Sequence, residues 1–237
     1  QKKVLITQSD YIPWKGYFDA IACADVFIVF DDLQYTKRDW RNRNQIKTKD
    51  GLHWLSIPVR VKGKYFQKIK DVKIADPNWN SKHWKSIVHH YGKAKYFKYY
   101  KEHFEELYAN CNSEYLHEVN ILFLKSICQI LEINTPILFS SDYTILEGKN
   151  ERIMHLCQQV GATSYISGPT ARHYLDQQLF ADNGIEISYM NYDDYPIYKQ
   201  VGVPFMGNVS VLDLLFNVGA DFASYMQLET KQAVINS

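Results

Sequence analysis

At 237 residues, with 46% hydrophobic and 22% charged side chains, the chain is long enough for one large or two small domains and too apolar for intrinsic disorder. A formal net charge of +1 excludes a global pull toward nucleic acid or an anionic surface, so any polyanion site must be local. No apolar run reaches the roughly 18–20 residues of a membrane span, and the first residues lack the apolar region of a signal peptide; the cytoplasm is the expected compartment.

In chain order, KVLIT (residues 3–7) and VFIVF (residues 26–30) are short, β-branched runs suited to strands buried on both faces. Residues 16–24 between them form a helix, with Phe18, Ile21 and Ala22 on one side, so the opening is a βαβ unit with a parallel strand pair. Its strand ends aim residues 8–11 and 31–35 at one edge, where open α/β sheets bind ligands. Residues 36–51 are expected to be a polar loop, residues 52–61 a strand that Pro58 confines to an edge or interrupts, and residues 62–70 a basic connection around Gly63. Three helices follow within a helical insertion at about residues 77–132. Strands are expected at 135–140, 163–166 and 185–189, and helices at 151–160 and 210–217. The fold class is therefore α/β: one unit over residues 1–237, with a mainly parallel, Rossmann-like sheet flanked by helices. Cys23, Cys111, Cys128 and Cys157 lack CxxC or Cys/His spacing, and no histidine pair has metal spacing; no metal site is expected.

Several segments carry reactive or ligand-binding groups. Asp31 and Asp32 end the second strand, and successive strand residues point to opposite faces, so one of them at most enters a given pocket. Such a carboxylate serves as general base, ammonium anchor or divalent-metal ligand, or it only stabilises a turn. The loop YTKRDWRNRN (residues 35–44) sets Lys37, Arg38, Arg41 and Arg43 beside Tyr35 and Trp40; guanidinium forks match phosphate oxygens and rings stack on a base or sugar. A solvated surface and a nucleic-acid patch are the alternatives, the second disfavoured by the neutral overall charge. Ser167-Gly168-Pro169-Thr170, after a strand, presents hydroxyls and amides to an anion or oxyanion, or is a plain turn. Asp213 and Asn217 share one face of the helix at 210–217, as a pocket wall or a buried network.

The motifs Gln8-x-x-Tyr11-x-Pro13-Trp14-x-Gly16-Tyr17-Phe18, Asp31-Asp32-x-Gln34-Tyr35, Asn42-Arg43-Asn44, Trp54-Leu55-x-Ile57-Pro58, Glu151-Arg152-Ile153, Tyr165-Ile166-Ser167-Gly168 and Tyr198-x-Gln200, with the run from Ser210 to Asn217, occur in order across nearly the whole chain. In this the sequence resembles the WbqC-like family, departing from it where Ser9-Asp10 follows Gln8, since many members have proline directly after that glutamine. The resemblance implies a role in bacterial O-antigen and related lipopolysaccharide or surface-polysaccharide biosynthesis, and transfer of glycine or another small acyl group to an amino sugar.

The expectation is thus a glycyl or other N-acyl transferase acting on a nucleotide-linked amino sugar. No cofactor is assigned beyond an activated acyl or aminoacyl donor, which a carrier protein can bear. Asp31 or Asp32 is the expected base; Arg38, Arg41 and Arg43 hold the diphosphate; Tyr35 or Trp40 stacks on the base. Gln8, Asn42 and Gln200 orient hydroxyls, Ser167 and the Gly168 amide face the oxyanion, and Tyr11, Tyr17, Gln34, Asp213 and Asn217 complete the contacts. The layout also resembles class I nucleotidyltransferases, but Tyr17 stands where those enzymes place a histidine, so nucleotidyl transfer ranks second. A non-catalytic sugar-nucleotide or protein-binding module is the third reading.

Overall fold

The β-branched runs pair as parallel strands. In a computed structural model that describes residues 1–228 and 234–236, β1 (Lys3–Thr7) aligns with β2 (Val26–Val29) from Val4↔Val26 to Thr7↔Val29. On its other side β1 meets β6 (Ser164–Ser167), with Leu5 opposite Ile166. The strands β5 (Ile137–Phe139) and β7 (Glu186–Met190) extend the sheet outward, giving the parallel order β5-β2-β1-β6-β7. Antiparallel β8 (Val234–Asn236) is the sixth strand.

Alternate residues supply two cores. Val4, Ile6, Val26, Ile28 and Phe30 face α5 (Lys149–Gln159) and α6 (Gln177–Asp182), through Leu156 and Phe180. Leu5, Phe27 and Val29 join the larger core with α1 (Lys15–Cys23) and with α2 (Trp79–Tyr91), α3 (Phe97–Asn110), α4 (Leu116–Ile130) and α7 (Val211–Val218). The three helices expected between about 77 and 132 are thus present and fused to one sheet face.

Two local expectations need correction. The polar stretch expected as a loop at 36–51 contains β3 (Arg43–Thr48), antiparallel to β4 (Gly51–Ser56) from Arg43↔Ser56 to Thr48↔Gly51. Only Ile46 among its side chains is apolar, but Asn44, Lys47 and Thr48 are also buried, so burial of polar groups hid the alternation. The strand expected to run to 61 ends at Ser56, ahead of Pro58, whose missing N–H cannot extend a ladder. No helix of the described residues is long and apolar enough to cross a membrane.

Candidate functional site

The chain proceeds from β1 outward through β2 to β5, then returns to the opposite side of β1 for β6 and β7. Crossovers therefore diverge between β1 and β6, and a crevice opens outside their carboxyl ends. A cavity of about 400 Å³ occupies it, within the range of small-molecule sites. Thr7 and Gln8 reach it from β1, Ser167, Gly168 and Thr170 from β6, and Lys149, Asn150 and Arg152 from the first turn of α5. Trp14, Tyr17, Tyr174 and Tyr192 form its aromatic walls.

Local chemistry explains how these groups are held. Trp14 folds back over the start of α1, where a Cβ on Gly16 would lie 2.2 Å from its indole; only glycine leaves that room. Tyr192 meets Trp14 edge-on at 4.8 Å between ring centroids. The Tyr17 hydroxyl donates to the Gln8 carbonyl (2.7 Å), fixing the end of β1 against α1. Gly148, at φ 90°, turns the chain into α5. Asn150 then clamps the opposite wall, accepting from the Asp176 amide (2.9 Å) and donating to the Tyr174 carbonyl (3.2 Å).

Electrostatically the cavity is one-sided. Lys149 and Arg152 line it, and among the described residues that line it there is no carboxylate and no histidine. The buried Arg152 Nε has no hydrogen-bond partner, and its guanidinium carbon stands 5.6 Å from the Phe30 ring centroid. Among the described residues Arg152 has no ion-pair partner, so its charge is available to an anion in the cavity. With two cations, aromatic walls and the hydroxyls of Ser167 and Thr170, the cavity suits an anionic ligand bearing a planar or sugar-like part.

Of the residues singled out in the sequence, Gln8, Tyr17, Ser167 and Gly168 meet in this cavity. The two aspartates do not line it. Strand parity sends Phe30 toward α5 and Asp31 to the other face, where Asp31 accepts from the Ser9 amide (2.9 Å), the Ser9 hydroxyl (2.6 Å) and His117 Nδ1 (2.5 Å). Asp32 accepts from Ser140 (2.7 Å), Ser141 (2.8 Å) and Lys70 (2.6 Å). Burial alone would raise the Asp32 pKa, but these bonds hold it below the usual carboxylate range. Both carboxylates are committed to tying the end of β2 to its neighbours.

The basic loop is likewise engaged. Arg41 pairs with Asp10 and reaches Gln8 Oε1 (3.2 Å) and Asp39 (3.6 Å), and burial lowers its pKa to about 10. Arg43 donates to the Arg38 carbonyl (2.5 Å) and stacks 4.0 Å over Trp54, itself beside Trp40 at 5.6 Å; Arg38, at φ 60°, has an exposed side chain. Asn42 donates to the Ile57 carbonyl (2.9 Å), and exposed Gln34 to the Tyr65 carbonyl (3.0 Å). Tyr35 is buried. Tyr11 is fully buried among Trp79, Phe123 and Tyr108, so it belongs to the helical core.

Gln200, Asp213 and Asn217 group elsewhere. Buried Asp213 accepts from Tyr198 (2.6 Å), Tyr91 (2.7 Å) and Gln200 (2.9 Å), and Asn217 donates to the Asp213 carbonyl (2.7 Å). Burial raises the Asp213 pKa despite these bonds. Gln200 and Asn217 border a wider cleft of about 1070 Å³ whose walls are the ends of α2 and α7 and the β3–β4 turn rather than strand ends.

Sequence reasoning gave no site role to Lys149, Asn150 or Arg152, which come from a helix more than a hundred residues beyond the opening unit, although Arg152 lies in one of the motifs that carry the family resemblance. It missed His117 as well: the histidine was visible, but its pairing with Asp31 exists only across the fold.

A model of the WbqC-like protein family matches residues 8–225. Over 226 residues the chain is 46% identical to "Uncharacterized protein Rv1507c" of Mycobacterium tuberculosis, an alignment covering 95% of this chain and 98% of that one. No solved structure matches it.

Proposed function

Because this chain belongs to the WbqC-like protein family, we propose that it binds a nucleotide-linked amino sugar in the β1–β6 cavity and transfers a small acyl or aminoacyl group, glycyl in the first instance, to the sugar amine, in surface-polysaccharide biosynthesis. The observation that carries the reading is the cation-lined, carboxylate-free cavity, with Arg152 free of any ion pair among the described residues, at the point where the crossovers diverge. Arg152 and Lys149 take the phosphates, and Trp14, Tyr174 and Tyr192 supply faces for the base or sugar. Ser167 and the Gly168 turn, which line the cavity, offer a hydroxyl and an amide to the charge gathering on the donor's carbonyl oxygen. From a thioester donor, the amine nitrogen forms the new C–N bond, the C–S bond breaks, and the proton lost by nitrogen ends on the departing thiol.

Asp31 acts in this scheme by positioning: through Ser9 it fixes the loop that carries Gln8. The test is incubation of the protein with a dTDP-amino sugar and glycine supplied as a carrier-protein thioester, as glycyl-transfer RNA or as ATP plus glycine. Mass spectrometry should find a glycyl adduct with one donor; failure with all three, across several amino sugars, refutes the reading.

A second reading is favoured by one observation. The parallel order β5-β2-β1-β6-β7, renumbered by appearance, is 3-2-1-4-5, the mononucleotide-binding arrangement that nucleotidyltransferases also use. It predicts magnesium-dependent pyrophosphate release from a nucleoside triphosphate, and absence of that release removes it.

A further inference from the structure

Between residues 51 and 70 there is no acidic residue, while Arg60, Lys62, Lys64, Lys68 and Lys70 fall within it, in a chain whose net charge is only +1. After β4 the chain tightens into a turn, where the Lys64 amide donates to the Val61 carbonyl (3.1 Å) and Gly63 takes φ 73°. Just beyond the turn stand Tyr65 and Phe66, neighbours in sequence, 72% and 85% exposed.

Exposure on this scale in a loose loop would carry little meaning, but this loop is laced down. The Tyr65 carbonyl accepts from Gln34 Nε2 (3.0 Å), the Gln67 carbonyl from the Tyr35 amide (2.9 Å), and the Arg60 carbonyl from Gln67 Nε2 (3.0 Å). The backbone is fixed while two large rings are held out in water, an arrangement that folding alone does not reward. Lys70 and Lys68 lie 2.6 and 3.9 Å from Asp32, which offsets one of their two charges. Arg60, Lys62 and Lys64 are exposed and, among the described residues, have no ion-pair partner.

We propose that this tip is a membrane-contacting loop: Tyr65 and Phe66 enter the interfacial layer of an anionic bilayer while Arg60, Lys62 and Lys64 meet its lipid phosphates. Aromatic rings favour the headgroup boundary, and clustered cations are drawn to anionic leaflets. Two rings in a cationic collar suit a fluid, planar surface; a protein interface of ordinary size needs about 800 Å² from each partner, more than this tip supplies. The contact also has a direction. The Ile69 amide donates to the Leu33 carbonyl (2.9 Å), and Leu33 lines the β1–β6 cavity, so docking brings that rim close to the lipid headgroups. The proposal stands independently of the transferase reading.

Flotation of the intact protein with phosphatidylcholine vesicles, with and without about a third phosphatidylglycerol, tests it. At about 0.1 M salt we expect partitioning at least tenfold stronger on the anionic vesicles, largely lost at about 0.5 M salt. The double variants Tyr65→Ser with Phe66→Ser, and Lys62→Glu with Lys64→Glu, should each weaken it about tenfold with the urea midpoint unchanged, since all four side chains are exposed. Wild-type protein that stays off the anionic vesicles overturns the proposal, as do variants that bind like wild type. Loss of self-association in the aromatic variant, with vesicle binding intact, also overturns it and makes the tip a protein contact.

Discussion

Replacement of Lys15 by methionine should stabilise the protein at neutral pH. Lys15 opens α1, 5% exposed, and its Nζ has no hydrogen-bond partner; the amine lies 4.2 Å from the Tyr195 ring centroid and 5.7 Å from that of Tyr198. A cation at a helix N-terminus also opposes the macrodipole. Burial lowers its pKa from 10.5 to about 8, against the pull of Asp19 and Asp213. Below pH 8 both folded and unfolded chains carry the charge, and the folded state bears the full penalty. Between pH 8 and 10.5 only the unfolded chain keeps the proton, so this contribution to stability rises with pH across that window and is flat above it. At about 1.4 kcal/mol for each pH unit, the penalty is about 3 kcal/mol. Methionine keeps the packing but forfeits ring contacts worth about 1 kcal/mol, leaving a gain of about 1–2 kcal/mol at pH 7. Urea denaturation at pH 7 and pH 10 would read it as a midpoint raised by about 0.5 M at pH 7, with unchanged slope, and little difference at pH 10. A variant less stable than wild type at pH 7, or a difference independent of pH, refutes the reasoning.

Other substitutions probe the cavity and its supports. Arg152→Met should weaken sugar-nucleotide binding about 10–100-fold, measured calorimetrically, while leaving the melting temperature within a degree or two. Gly148→Ala forces a side chain to φ 90° and should cost about 1–2 kcal/mol in chemical denaturation, loosening the α5 turn that carries Lys149. Asp31→Ala leaves the Ser9 and His117 donors unmatched and should cost about 3 kcal/mol or more; loss of turnover with full stability would instead make Asp31 a base in the reaction.

The chain's opening unit is legible because KVLIT and VFIVF are buried on both faces, so continuous apolar runs mark them without ambiguity. The hairpin at β3–β4 is not, because Lys47 is buried against the Thr48 and Val201 carbonyls, a satisfaction no periodicity displays. The same limit governs the site. Arg41 looks like a phosphate ligand until the fold supplies Asp10 as its partner, whereas Arg152, though part of a family motif, shows no role until the divergence of the crossovers sets it at the cavity. Residue type announces what a side chain can bind, and distant partners decide whether that capacity is already spent.

The charge of the cavity lining bears on which form of an amine can react. In the proposed complex the diphosphate of the acceptor offsets Lys149 and Arg152, while the lining holds no carboxylate or histidine to pair with a sugar ammonium or to take its proton. On the acyl-transfer reading, such a lining would give the protonated amine no anchor and leave the neutral, nucleophilic form to react. Turnover would then climb with pH until the acceptor's own amine has lost its proton, so the rising limb of the rate profile should shift when the sugar is changed and stay put when Asp31 or His117 is.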